Sequence, residues 1–146
     1  MRLAFAGPWR VWLWTRYWNS LFPTRKPADQ ALAEAALSHN LHEPGRMAAL
    51  QTMINLSKAD TTALLPLSQV SALVVMGTRD PDFADVAAEA RWLGSQLSAE
   101  TLIIDGAGHY PQTEMPEQVA PSVIAFIERL QMSPAAGTDL VHQHRS

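Results

Sequence analysis

Cysteine is absent from the 146 residues, which excludes disulfide staples, thiolate zinc sites and a cysteine nucleophile and leaves the redox compartment open. A basic excess is lacking too. Eleven Lys and Arg stand against fourteen Asp and Glu, a net charge of −3, so the chain cannot neutralise a nucleic-acid backbone and no nucleic-acid partner is expected. No apolar run approaches the roughly 20 residues that span a bilayer. Leu3 to Ala6 is too brief for the hydrophobic part of a secretory signal, and Arg10 and Arg16 interrupt the apolar residues beyond it. No membrane partner is expected, and the default location is cytoplasmic. Solenoid-period repeats and low-complexity tracts are missing as well. The composition that remains, 47% apolar and 17% charged residues, fits one soluble globular unit.

Charge is unevenly spread. Residues 1–28 carry Arg2, Arg10, Arg16, Arg25 and Lys26 with no acid, which implies two regions with different roles. From Pro8 to about Leu65 the pattern is helical. A first run to Phe22 packs Trp9, Trp12, Trp14, Tyr17 and Trp18 into a few turns and is stopped by Pro23. A second opens with Pro27 in its first turn and Asp29 at the positive end of the dipole, then continues through Leu32, Ala36 and Leu37. A third comes after Pro44 and Gly45 and sets Met47, Leu50, Ile54 and Ser57 on one face. Pro66 punctuates the chain.

Beyond Ser71 the pattern changes. Ala72 to Met76 is a short, β-branched apolar run ending at Gly77, and it predicts a strand buried on both faces. Ala84 to Leu97 predicts an amphipathic helix with Val86, Ala90, Leu93 and Leu97 on its stripe, and Thr101 to Ile104 a second strand closed by Gly106-Ala107-Gly108. Strand, helix and strand with a crossover of this length predict parallel neighbours and a right-handed connection. A last helix has Val119, Val123, Ile124, Ile127 and Leu130 as its buried stripe. Pro116 suits its first position, but Pro121 would remove a hydrogen bond, which moves the expected regular part towards Val119. The expected architecture is α/β: residues 1–66 helical, 67–132 a β-α-β-α unit, and 133–146 a disordered tail.

Parallel strands bring the loops at their carboxyl ends to one rim, with neighbours about 4.8 Å apart. One loop holds Thr78-Arg79-Asp80-Pro81-Asp82-Phe83 and the other Gly106-Ala107-Gly108-His109-Tyr110-Pro111. Asp80 and His109 are therefore the natural pair, a general base whose tautomer is held by a buried carboxylate. Gly106 and Gly108 permit the sharp turn. Asp80 could alternatively be a turn former, and Asp82 and Asp85 read first as caps of the helix beginning at Ala84. His39, His42 and Glu43 have ligand-like spacing on a helix, but such residues usually face solvent; neither they nor His142 and His144 predict a metal site.

These residues resemble the C-terminal part of α/β-hydrolase-fold enzymes. The likeness covers about residues 8 to 132. It is strongest in Val74-Val75-Met76-Gly77-Thr78-Arg79-Asp80-Pro81 and in Gly106-Ala107-Gly108-His109-Tyr110-Pro111, with Glu114, Pro116 and Glu117 behind it. The resemblance implies a partial α/β-hydrolase fold, Asp80 as triad acid with Asp82 in reserve, His109 as triad base, and the helical residues before Pro66 as a lid. It implies hydrolysis of an ester or related bond in an apolar small molecule, with no cofactor and no metal. The pocket wall would be Trp9, Trp12, Trp14, Trp18, Phe83 and Tyr110.

The family takes its nucleophile from a strand-to-helix elbow such as Gly-x-Ser-x-Gly, which precedes the lid in chain order. No serine here sits in one. Gly94-Ser95 falls where a helix leads into the second strand, where both are ordinary helix-end residues. The expectation is thus a chain inactive alone, a fragment or one half of a complementing pair. It would associate with a missing N-terminal half or with another copy, and aggregate when isolated. The alternative is a non-catalytic interaction module using the tryptophan-rich helix on a partner subunit.

Overall fold

The backbone of Leu73–Gly77 (β1) pairs in parallel with Glu100–Ile104 (β2), Leu73 opposite Glu100 and Gly77 opposite Ile104. The computed structural model describes residues 7–132. The expected tail, with His142 and His144, and the Leu3 to Ala6 stretch lie outside the described residues. Within them the elements are Arg10–Ser20 (α1), Gln30–His42 (α2), Arg46–Asn55 (α3), Ala59–Leu64 (α4) and a 3-10 turn at Leu65–Leu67. After β1 come Val86–Leu97 (α5), β2, Pro111–Glu114 (α6) and Pro116–Met132 (α7). The result is a mixed helical and strand fold in which two strands run parallel.

Parallel pairing is dictated by α5. Twelve helical residues return the chain to the starting edge of β1, and a two-residue hairpin is impossible across such a connection. Asp85 caps α5 by accepting the Ala88 N–H at 2.8 Å, as expected. Asp82 does not cap it. The expected burial of both strand faces is not found: Leu73, Val74 and Val75 are half-buried, and Glu100, Thr101 and Ile103 are exposed. Only two strands pair among the described residues, so each strand keeps one unpaired edge.

Two small cores hold the elements. Ile104, Ala107, Met115 and Val119 are buried together, with Val75, Leu102 and Val123 packed against them. Val11 of α1, Leu41 of α2 and Met47 of α3 form the second, with Trp14, Leu37 and Leu50 around it. Burial of each such side chain is worth about 1.5–3 kcal/mol. In α2 it is Leu37 and Leu41 that turn inward, while Leu32 is exposed. Helix α3 ends at Asn55, so Ser57 lies beyond it and accepts the Ala59 N–H.

Helix α7 begins at Pro116 rather than near Val119. Pro121 sits inside it, where the missing amide costs one early hydrogen bond without breaking the helix. Its expected buried stripe is only half realised. Val119 and Val123 face the core, whereas Ile124, Ile127 and Leu130 are exposed. Arg129 fastens the helix to β2 by donating to both carboxylate oxygens of Glu100 at 2.6 and 2.8 Å.

Candidate active site

The loops after β1 and β2 are stitched to each other before either reaches its functional residue. Thr78 N–H donates to the Ile104 carbonyl at 3.0 Å, Arg79 N–H to the Ala107 carbonyl at 2.8 Å, and Gly106 N–H to the Thr78 hydroxyl at 2.8 Å. A Cβ on Gly77 would stand 2.3 Å from the carbonyl oxygens of both Ala107 and Gly108, so this close approach requires glycine there. Gly106 turns at φ +78°. Gly108 serves differently from the expected turn. Its Cα faces the Leu21 carbonyl so closely that a Cβ would lie 2.3 Å from that oxygen.

On this frame His109 Nδ1 and Asp80 Oδ2 are 2.8 Å apart. The Asp80 side chain is 5% exposed and that of His109 is 32% exposed, so the acid is enclosed and the base reaches solvent. Asp80 Oδ1 accepts the Asp82 N–H at 2.9 Å, which fixes the carboxylate's second oxygen. Asp82 Oδ2 is 3.6 Å from the same ring nitrogen, too far for a hydrogen bond. The geometry therefore favours Asp80 over Asp82 as the partner of His109. With Nδ1 turned to the carboxylate, Nε2 is the nitrogen left for chemistry.

The segment after α1 wraps this loop. Leu21 accepts the His109 N–H at 3.0 Å, and the Thr24 hydroxyl donates to the Gly106 carbonyl at 2.6 Å. Glu114, fully enclosed, accepts three backbone N–H groups: Thr24 at 2.6 Å, Arg25 at 2.8 Å and Gly108 at 2.6 Å. A buried carboxylate is tolerable only when so satisfied. Arg25 also donates to Glu117, whose carboxyl is held below its ordinary range first by that hydrogen bond.

Aromatic rings extend from the imidazole. His109 meets Tyr110 edge-on at 4.9 Å, Tyr110 stacks on Phe22 at 5.2 Å, and Phe22 meets Trp18 at 5.6 Å. Tyr110 thus meets the base directly, and Trp18 joins it through Phe22 and Tyr110. Trp14 packs in the α1 core and touches Tyr17 at 5.0 Å. Phe83 is half-buried at the end of the acid loop. Trp9 and Trp12 do not reach the pair: Trp9 is exposed, and Trp12, 61% exposed, lines an open groove of about 550 Å³ between α1 and α2 with Val11, Glu34 and His42. The expected place of Trp9 and Trp12 in the pocket wall is therefore not found.

Ser95 lies within α5 and donates to the Trp92 carbonyl at 2.7 Å, on a helix rather than in an elbow. His42 Nδ1 contacts the Ser38 carbonyl, and Glu43 pairs with Arg46. Among the described residues, Asp80, Asp82 and His109 have donor atoms within 4.8 Å of one another and could together hold a cation. That cation would have to displace the hydrogen bonds these groups already make, so the donor set suits proton handling better.

Tyr17, Phe22, Thr24, Arg25 and Glu114 are site residues that the sequence pattern does not assign. Their partners lie 65 to 90 positions away in the chain for Tyr17, Thr24 and Arg25, and no local pattern announces such contacts.

No protein-family model matches the chain, and no curated protein matches it. Among solved structures it is similar to an N-acyl homoserine lactone degrading enzyme, with 17% sequence identity and a TM-score of 0.57 over 85% of this chain. The likeness takes in 49% of that protein, so this chain spans about half its length. At this identity the likeness is one of fold.

Proposed function

We propose that this chain carries the acid–base pair of a hydrolase acting on an ester, lactone or related bond of an apolar small molecule. The observation that carries the reading is the 2.8 Å contact between His109 Nδ1 and the enclosed Asp80 carboxylate. The fold likeness to a lactone-degrading enzyme supports it. In this reading Nε2 takes the proton of an attacking hydroxyl as its oxygen adds to the acyl carbon. The bond to the leaving oxygen then breaks, and that oxygen receives the proton from Nε2; water then adds to the acylated hydroxyl by the same two transfers, releasing the acid and restoring the hydroxyl. Asp80 holds the tautomer and stabilises the imidazolium between the two transfers.

Ser95 is not that hydroxyl, since it is committed to its own helix. The helical region up to residue 66 acts as the lid over the 67–132 unit. Trp18, Phe22 and Tyr110 form the apolar wall beside the base, with Trp14 and Phe83 behind it. The test is hydrolysis of nitrophenyl esters of graded acyl length and of N-acyl lactones. His109→Ala abolishes turnover, and Asp80→Asn lowers it by about 10⁴-fold. Turnover indifferent to His109→Ala refutes the acid–base role.

One observation favours a second reading. Trp9 and Trp12 are large, exposed and outside the aromatic row, as in an interaction module that docks a partner subunit. Replacing both with Ser separates the readings: it weakens self-association if they dock a second copy of the chain, and leaves it unchanged if they do not.

A further inference from the structure

We propose that Tyr17 is a positioning residue for His109 that acts through Asp82: by tethering Asp82 to α1, its hydroxyl leaves Asp80 as the acceptor of the Nδ1 hydrogen. The inference rests on the acid–base reading for its catalytic meaning, while its geometry stands independently.

Two carboxylates face one ring nitrogen. Asp80 Oδ2 is 2.8 Å from Nδ1 and Asp82 Oδ2 is 3.6 Å from it, so a displacement of under about 1 Å would bring the second within hydrogen-bond range. Asp80 is enclosed and fixed through its other oxygen by the Asp82 N–H. Asp82 is one-third exposed, and its Oδ1 accepts the Tyr17 hydroxyl at 2.5 Å across 65 residues of sequence. A hydroxyl donating to a carboxylate makes a charge-assisted bond, stronger than one between neutral groups. Burial, then the hydrogen bond and charge of Asp82, raise the Tyr17 phenol well above its ordinary range, so it remains a donor through neutral and mildly alkaline conditions.

Without that donor, Asp82 is free to compete for the Nδ1 hydrogen. The exchange tilts the imidazole and carries Nε2 off its line of attack, and misplacements on the order of 1 Å are costly for a catalytic group. Tyr110, also titratable, meets the ring edge-on. Among the described residues no Lys or Arg forms an ion pair with Asp80 or Asp82. The Tyr17 bond therefore links the placement of α1 to the choice between two carboxylates.

The test is nuclear magnetic resonance of the full chain labelled with ¹⁵N-histidine, with the His109 Nδ1–H signal assigned by its loss in His109→Gln. Tyr17→Phe shifts or splits that signal, Asp82→Ala alone leaves it in place, and Tyr17→Phe with Asp82→Ala returns it to the wild-type position. An unmoved signal in Tyr17→Phe overturns the proposal, as does a double variant that keeps the shift. If Tyr17→Phe fails to fold, the double variant must fold with the wild-type signal; its failure also overturns the proposal. Absent hydrolysis with this pattern intact counts against the hydrolase reading alone, and hydrolysis without the pattern counts against this inference alone.

Discussion

Glu114 accepts the amide hydrogen of Gly108 at 2.6 Å, one residue ahead of the base. Its other oxygen takes two amides from the segment after α1. The carboxylate therefore holds His109 in place without touching it.

Replacing Glu114 with Ala leaves three backbone N–H groups of this junction without their acceptor. The expected loss is about 3 kcal/mol, read as a lower urea midpoint. Glu114→Gln loses less, because a carboxamide oxygen still accepts, but its NH₂ faces an N–H donor. Equal midpoints for wild type and Glu114→Ala would refute the pinning role.

Gly77→Ala and Gly108→Ala each push a methyl group to 2.3 Å from a backbone carbonyl oxygen. Backbone cannot yield as a flexible side chain does, so each variant is expected to lose at least about 2 kcal/mol. The His109–Asp80 contact should loosen with it. Thermal melts within a degree of wild type would contradict this.

A pH dependence at the alkaline end is set by Tyr17. Its phenol is raised in the folded state from an ordinary value of 10.0, burial being the first cause and the Asp82 hydrogen bond the second. The unfolded chain then loses this proton before the folded one does, so the stabilisation is complete below about pH 10 and is lost as the pH climbs through the folded value. Denaturant midpoints measured upward from neutrality should hold until that range and then fall, and Tyr17→Phe should remove this part of the fall. Ultraviolet titration should show one tyrosine ionising late, and earlier in Asp82→Ala.

Ile124, Ile127 and Leu130 present an apolar strip on α7, and each strand of the sheet has an open edge. The isolated chain is expected to self-associate with rising concentration in sedimentation experiments. Ile124→Lys should lessen this with a stability change within about 0.5 kcal/mol, since more than half of that residue is already in water. A monomer with a sharp, concentration-independent melt would contradict the expectation.

The Asp80–His109 pairing is legible in the sequence because one geometrical fact determines it. A helix-length crossover forces parallel strands, and parallel strands deliver both loops to one rim. Asp85 as a cap is legible for an equally local reason. Burial of the strands is not, because an apolar run records what a strand can cover and not what covers it, and here Ile103 is exposed and Leu73, Val74 and Val75 are only half-buried. Glu114 is visible only as part of a family likeness. A buried acid whose partners are amides of Thr24 and Arg25 has no periodicity to reveal it. Tyr17 reads as one more aromatic on α1, since nothing local marks its hydroxyl as the partner of Asp82.

The bonds from residues 21–25 to the second loop have a mechanical consequence. His109 hangs by its amide from Leu21, its neighbour Gly108 shares Glu114 with Thr24 and Arg25, and Gly106 holds the Thr24 hydroxyl. His109 is thus tied to the segment between the first two helices, so any displacement of that segment would be passed directly to the imidazole.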